Sequence, residues 1–245
     1  MGRGYQGAVL HLLRAPEFEL EVVDVDERGA FTRVRVHCAQ LLGPGAAREL
    51  PPTVWVRLWV PGSGDKEFQR AYTLVEVDPD SARASIYVLH HEPSGPASRW
   101  ARNAAAGSRV KAQLYGGKKY TPPLPGQRLL LIGDPASAPA IGDALDRAPA
   151  SCDVEVVLLA GADAWAPLGE HRATLTRVPV SAGDEALMRH LRETLARGVP
   201  DWAWVALEST PTRTARRALM DAGVPKSAIQ SQAYWIRGRS MGAAE

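Results

Sequence analysis

Cysteine is scarce in this chain. Two thiols, Cys38 and Cys152, in 245 residues are too few and too far apart for a disulfide framework, and neither has a metal-ligand spacing. Both lie in or beside strand-like runs, where cysteine acts as a small apolar side chain. Net charge is nearly absent as well. The balance of +2, from 29 basic and 27 acidic residues, lacks the basic excess of a nucleic-acid binder, so no nucleic-acid partner is expected. No apolar run approaches the ~18 residues of a membrane span. The opening Met1-Gly2-Arg3-Gly4-Tyr5 has no apolar signal core. The expectation is a cytoplasmic protein with no membrane insertion. The six histidines show no ligand spacing, so no protein-bound metal is expected. Carboxylate pairs at acid–base spacing and Gly-x-Ser-x-Gly nucleophiles are missing too. Hydrolytic and metal-assisted chemistry therefore find no support.

The first half reads as short strands. Val34, Val36 and Cys38 alternate with Arg33, Arg35 and His37. Val54, Val56, Leu58 and Val60 alternate with Trp55, Arg57 and Trp59. Period two places one set in a core and leaves the other outside. The two tryptophans share the face opposite the valines. Further strands are expected over 18–25, 72–77, 85–90 and 110–115, with turns at Pro51-Pro52, Pro61-Gly62 and Asp78-Pro79-Asp80. About six such strands suggest an antiparallel barrel. One helix interrupts them over 96–106, with Pro96 near its start and Gly107 past its end. The Gly-, Pro- and Lys-rich stretch 116–126 is the natural linker between two domains, 1–125 and 126–245.

The second half changes period. Leu129-Leu130-Leu131-Ile132 is a short apolar run fit for a fully buried strand. Helices over 138–146, 184–197 and 212–222 interleave with strands over 154–159, 174–178, 202–207 and 233–237. Alternating strand and helix implies a parallel sheet covered on both faces.

Three constellations point to chemistry. In Arg70-Ala71-Tyr72-Thr73, read as the opening of a strand, Arg70 and Tyr72 project to one side. A guanidinium pairs well with phosphate, and a phenol packs flat on an aromatic ring system. The hydroxyl and backbone of Thr73 suit heteroatoms at a ring edge. A flavin nucleotide would use all three, although an ordinary strand carries the same residues. Next, Val88-Leu89-His90-His91 leads to Gly95-Pro96-Ala97-Ser98-Arg99-Trp100-Ala101. A glycine turn entering a helix offers free N–H groups and a positive dipole end, ready for a pyrophosphate. The alternative is a capped helix that packs Trp100 into the core. His90 and His91, being adjacent on a strand, point opposite ways and cannot clasp one ion. Last, Gly133-Asp134-Pro135-Ala136-Ser137-Ala138-Pro139-Ala140-Ile141 follows a buried strand, where ligands sit in open α/β sheets. It lacks a Gly-x-Gly-x-x-Gly fingerprint.

These pieces, in this order, resemble the siderophore-interacting protein family of FAD-dependent ferric-siderophore reductases, within the ferredoxin-NADP reductase-like fold. The resemblance runs from about residue 15 to 240 and closes with Tyr234-Trp235-Ile236-Arg237-Gly238. It implies an N-terminal antiparallel FAD-binding β-barrel, a C-terminal parallel-sheet reductase domain, and a flavin in the cleft between them. It implies that Arg70 meets the FAD phosphates and that Tyr72 packs on the isoalloxazine, with Ala71 and Thr73 beside its polar edge. His90 and His91 would lie near the flavin or adenine. Gly95, Pro96, Ala97 and Ser98 would form the pyrophosphate cradle, and Asp134 and Ser137 would line the facing wall. Tyr234 and Trp235 would either touch the flavin or only close the last strand. Apart from the resemblance, Lys118, Lys119, Arg128 and Arg239 either form a basic rim around the cleft, attractive to anionic ferric siderophores, or are merely solvated charges. No catalytic acid or base is needed.

The family commonly has Glu-Thr where this chain has Pro135-Ala136, and Ala-Gly-Glu where it has Ala206-Leu207-Glu208. Both changes fall where a nicotinamide would dock, which leaves the donor open between NAD(P)H and ferredoxin. The implied function is flavin-dependent reduction of ferric siderophores in iron acquisition. The alternatives are a general NAD(P)H flavin reductase or electron-transfer flavoprotein, and a non-catalytic siderophore-binding module.

Overall fold

The computed structural model describes residues 16–47, 50–62, 64, 66–115, 120–121, 123–170 and 172–239. They form two compact units, one within residues 16–115 and the other over Tyr120–Arg239.

The first unit contains β1 (Glu17–Arg28), β2 (Phe31–His37), the short helices α1 (Ala39–Leu42) and α2 (Pro44–Ala47), β3 (Trp55–Pro61), β4 (Glu67–Thr73), β5 (Val75–Asp78), β6 (Arg83–Leu89), α3 (Pro96–Asn103) and β7 (Arg109–Tyr115). The strands form one antiparallel sheet in the order β4-β3-β7-β1-β2-β6-β5. Its two edge strands, β4 and β5, are joined through Leu74 alone. A sheet whose outermost strands are consecutive in the chain has to curl until its edges meet, and that makes it a barrel. Leu74 is fully buried and donates its N–H to the Val54 carbonyl at 2.9 Å. The expected alternation holds. Val34, Val36, Val56 and Leu58 are fully buried inside, while Arg33, Arg35 and Arg57 keep partial exposure outside. Trp59 is buried on the outer face, where its indole N–H and the Gln69 amide both donate to Gln113 Oε1.

Two expectations need correction. The single strand expected over 72–77 is the corner between β4 and β5. Arg70-Ala71-Tyr72-Thr73 therefore closes a strand instead of opening one. The helix expected over 96–106 ends at Asn103 because Ala104 is extended, at φ −69° and ψ 142°.

The second unit contains, in chain order, β8 (Arg128–Gly133), α4 (Ala138–Asp146), β9 (Asp153–Leu159), β10 (Thr174–Val178), α5 (Gly183–Arg197), β11 (Trp202–Glu208), α6 (Ser209–Asp221) and β12 (Ile229–Trp235), with a helix between every pair of successive strands except β9 and β10. All five strands are parallel, in the order β10-β9-β8-β11-β12. The last strand starts four residues earlier than expected, because its edge position relaxes the burial pattern that would have marked it. Residues 129–132 are apolar throughout because both faces are covered. Leu130, Ile132, Val205 and Leu207 pack with Leu187 and Leu191 of α5 and with Ala215 and Leu219 of α6. Leu129, Leu131, Trp204 and Ala206 pack with Ile141 and Ala144 of α4. The strand order reverses between β8 and β11, so their carboxyl ends flank the topological switch point.

Candidate functional site

In the first unit, β4 ends at Thr73, and β5 then pairs Val75 with Ser85 of β6. The segment Arg70–Thr73 immediately precedes this pairing in the chain, and β4 and β6 are in contact. The end of β6 delivers His90, and the following turn delivers α3, which packs on β3 and β6. The fold therefore brings the first two constellations into one region of one unit.

Tyr72 packs against the barrel core, and burial pushes its phenol well above the ordinary range although the Arg70 charge opposes this. Arg70 lies with its guanidinium 5.7 Å from the Phe68 ring centre and donates to the Gln69 carbonyl at 2.8 Å. Thr73 is buried and Ala71 exposed.

Helix α3 starts at Gly95, whose extended backbone (φ −80°, ψ 170°) supplies no side-chain cap. Its first intrahelical bond runs from the Arg99 N–H to the Gly95 carbonyl at 3.0 Å. Pro96 has no N–H, so the amides of Ala97 and Ser98 are the donors left at this end. The Ser94 hydroxyl beside it is buried without a partner among the described residues. A Cβ on Gly95 would meet only the His91 ring, at 3.7 Å. An uncapped helix start, free amides and an orphaned hydroxyl fit a phosphate group. Trp100 packs against the barrel core, so the helix is both anchored and left open at its start.

His90 occupies an inner layer. Its Nε2 lies 2.6 Å from Thr32 Oγ1 and its Nδ1 2.6 Å from Ser98 Oγ. Burial lowers its pKa, assisted by Arg102 and His91 and opposed by Glu27. The shift favours the neutral ring. His91 is exposed. Sequence reasoning missed Thr32. The available signal was a hydroxyl in phase with the inward-facing Val34 and Val36.

It also missed Glu76, which sits at an irregularity between β5 and β6 with φ 52°. This left-handed backbone is uncommon outside glycine. The carboxylate accepts from Ser85 Oγ at 2.6 Å, from Tyr87 Oη at 2.7 Å and from the Arg33 guanidinium. Burial raises its pKa, but these donors together hold it below the ordinary range.

In the second unit, Asp134 ties three strand ends together. Its Oδ2 accepts from Trp235 Nε1 at 2.7 Å, and its Oδ1 accepts from the Ala136 and Ser137 amides at 2.9 and 3.3 Å. The Glu208 amide also donates to it, yet burial still pushes its pKa up. Ser137 accepts from the Asp134 amide and donates to the Asp134 carbonyl, at 3.0 and 3.1 Å. Ser137 is thus committed inside the turn, while Asp134 also reaches the ends of β11 and β12. Gly133 is required there, since a Cβ would come within 2.4 Å of Ser137 Oγ and 2.5 Å of Ile141 Cδ1. Tyr234 meets Trp204 edge-on at 6.0 Å. Trp235 keeps 37% exposure at the carboxyl end of β12. The Glu208 carboxylate accepts from the Thr210 and Arg237 amides and from Ser209, which holds its pKa low. The Leu207 side chain is turned into the α5–α6 core.

The basic rim is only partly described. Lys118 and Lys119 lie outside the described residues. Arg239 is exposed just beyond β12, in a bridge with Ile236. Arg128 is elsewhere. It begins β8, at the opposite end of the sheet, and binds Glu155 and the Gly198 carbonyl. No group of metal-ligating side chains occurs among the described residues, and no helix there is long and apolar enough to cross a membrane.

The chain matches two family models: the siderophore-interacting FAD-binding domain over residues 26–116, and the siderophore-interacting protein domain over residues 126–238. Similar curated proteins include the mycobactin import ATP-binding/permease protein IrtA of Mycolicibacterium thermoresistibile, 36% identical over 99% of this chain. The protein of that name from Mycobacterium tuberculosis is 33% identical over 99% of this chain. This chain spans 27% and 28% of their lengths. Among solved structures, the siderophore-interacting protein of Acinetobacter baumannii gives a TM-score of 0.75 at 18% identity, covering 92% of this chain and 93% of that one. A siderophore utilization protein from T. fusca gives 0.74 at 23% identity, covering 92% and 94%. The ferredoxin reductase of carbazole 1,9a-dioxygenase gives 0.69 at 19% identity, covering 90% and 68%, which shows that the fold is ferredoxin reductase-like. FAD is thus the cofactor of the barrel unit, and the chain belongs to the siderophore-interacting protein family.

Proposed function

We propose that this chain is an FAD-dependent reductase of ferric siderophores, acting in the cytoplasm on iron that has been imported as a chelate. The observation that carries the reading is the open start of α3, with its free amides and unpartnered Ser94 hydroxyl, in a barrel that matches an FAD-binding family model. The IrtA proteins are named for mycobactin import, which supports a siderophore as the substrate class.

When bound, FAD supplies the redox chemistry: it takes up reducing equivalents and releases them singly. The residues of the chain bind and orient. The Arg70 guanidinium and the Ala97 and Ser98 amides hold phosphate oxygens. Tyr72 offers a flat ring whose raised pKa keeps it uncharged at any physiological pH. His91, exposed beside Gly95, borders the cradle. Trp235, fixed by Asp134, presents an aromatic edge at the carboxyl end of the sheet, with Tyr234 behind it. Each ferric ion takes one electron, so a two-electron donor such as NAD(P)H serves two siderophores and a one-electron ferredoxin serves one. Oxygen-rich chelators hold Fe(II) far more weakly than Fe(III), and the metal leaves. Lys118, Lys119 and Arg239 would draw in an anionic chelate.

The test is an anaerobic reaction of FAD-loaded protein with NADH, NADPH or reduced ferredoxin. A ferric siderophore is supplied and Fe(II) is trapped by a ferrous chelator. Stoichiometric Fe(II) is expected from at least one donor. Turnover of free flavin or quinone without any ferric siderophore reduction would refute the substrate assignment.

A further inference from the structure

Thr32, His90 and Ser98 come from β2, the end of β6 and the first turn of α3, and they form a continuous line of two 2.6 Å hydrogen bonds. Without a ligand either neutral tautomer leaves one buried hydroxyl with nothing to donate to among the described residues, Thr32 when Nε2 carries the proton and Ser98 when Nδ1 does; a phosphate at the helix start would give the Ser98 proton an acceptor and so select the Nδ1–H form. Thr32 is 1% exposed, and among the described residues its hydroxyl meets one polar partner, His90 Nε2. If Nε2 carried the ring proton, the Thr32 O–H would be left buried with nothing to donate to, at a cost of about 1–3 kcal/mol. If Nε2 is bare, Thr32 donates to it and is satisfied. The neutral ring then carries its proton on Nδ1, which donates to Ser98 Oγ. Ser98 is 3% exposed, and its own O–H proton meets no acceptor among the described residues. In the Nδ1–H form that proton is directed away from His90, at a helix start whose Ala97 and Ser98 amides have no side-chain cap among the described residues.

We propose that Thr32–His90–Ser98 is a one-way hydrogen-bond relay that makes Ser98 an obligate donor to a phosphate oxygen of the cofactor. His90 and Thr32 are positioning residues and do not touch FAD. Without the relay, the Ser98 hydroxyl would be free to donate back to His90 and present only a lone pair to the anion. With it, the hydroxyl and both amides offer protons together, and each bond in the line polarises the next. The inference rests on the siting of FAD at α3 and is independent of ferric reduction.

The direct test is the ring tautomer of His90, read by two-bond nitrogen–proton NMR correlations on the labelled FAD-loaded protein. The Nδ1–H form is expected, and the Nε2–H form would overturn the relay. The functional test is the Kd for FAD of apo variants, followed by flavin fluorescence. Thr32→Val, which keeps shape and removes the hydroxyl, and Ser98→Ala are each expected to weaken binding about tenfold. Thr32→Ser should bind within about twofold of the parent, and the double variant T32V/S98A no more than about twofold worse than Ser98→Ala. Multiplicative losses in the double variant would show that Thr32 acts by another route and would overturn the relay. A parent protein that binds FAD with the Nε2–H tautomer sinks the relay alone. A parent that takes up no FAD sinks the siting on which it rests.

Discussion

Asp134 is the buried group whose removal has the most legible consequence. Replacing it with alanine leaves the Trp235 indole N–H and the Ala136 and Glu208 amides without their acceptor, at a position 4% exposed. Ser137 loses less, since its amide also reaches the Asp134 backbone carbonyl at 3.0 Å. Each orphaned buried donor costs about 1–3 kcal/mol. Removing the carboxylate recovers the several kcal/mol of its desolvation. Burial disfavours the charge and raises its pKa, so this recovery offsets part of the loss. We expect a net loss of about 2–4 kcal/mol for Asp134→Ala. Trp235→Phe, which deletes one donor, should cost about 1 kcal/mol.

Urea denaturation of the apo protein, followed by tryptophan fluorescence, gives both values. The double variant D134A/W235F should fall short of additivity by about 1 kcal/mol, because the two side chains share a bond. pH adds a signed check. A carboxyl whose folded pKa lies above its unfolded value destabilises the fold when ionised. As pH falls through the raised value towards the ordinary carboxylate range, the parent gains stability that the alanine variant cannot. The gap between them should therefore widen with acid. Full additivity, or a loss below about 0.5 kcal/mol for Asp134→Ala, would refute the clamp.

At the other end of the same sheet, Glu155 binds Arg128, Arg197 and Thr194 while buried. Glu155→Gln should cost about 2 kcal/mol in urea melts, the half-exposed Arg197 contributing little. Gly133→Ala forces a Cβ against Ser137 and Ile141 and should cost about 1–3 kcal/mol by the same assay. Arg70→Ala should weaken FAD binding about tenfold or more, while Tyr72→Phe, which keeps the ring, should stay within about twofold. Fluorescence titration measures both. His90 has a lowered folded pKa, among Arg102, His91 and Glu27. Its neutral form thus supports the fold above about pH 6.5, and that support should fade as pH drops below this value. A His90→Gln variant should show a flatter stability profile between about pH 5 and 7.

Period and punctuation made much of the fold legible from the residues alone. Helix α4 and strand β10 fall where apolar spacing placed them, and the leucines at 129–131 announced a strand covered on both sides. The errors share a cause. At 72–77 the side chains keep a strand-like pattern straight through Leu74, yet the chain turns there because the barrel has to close. Closure is a property of the whole sheet, and a window of six residues does not contain it. Arg128 was misplaced among the rim cations for a similar reason. Its charge is visible in the sequence, but its end of the sheet depends on strand direction. The candidate site divides the same way. Arg70, Tyr72 and the Gly95–Ser98 turn carry their chemistry in contiguous motifs. Thr32 becomes meaningful only when β2 pairs with β6 and brings it to a histidine 58 positions away. That pairing also changes the meaning of His90. A histidine in a motif invites the reading that it meets the ligand, but with each ring nitrogen engaged by a hydroxyl at 2.6 Å it has no nitrogen left to offer one. The proposed relay would carry the influence of His90 to a ligand through Ser98.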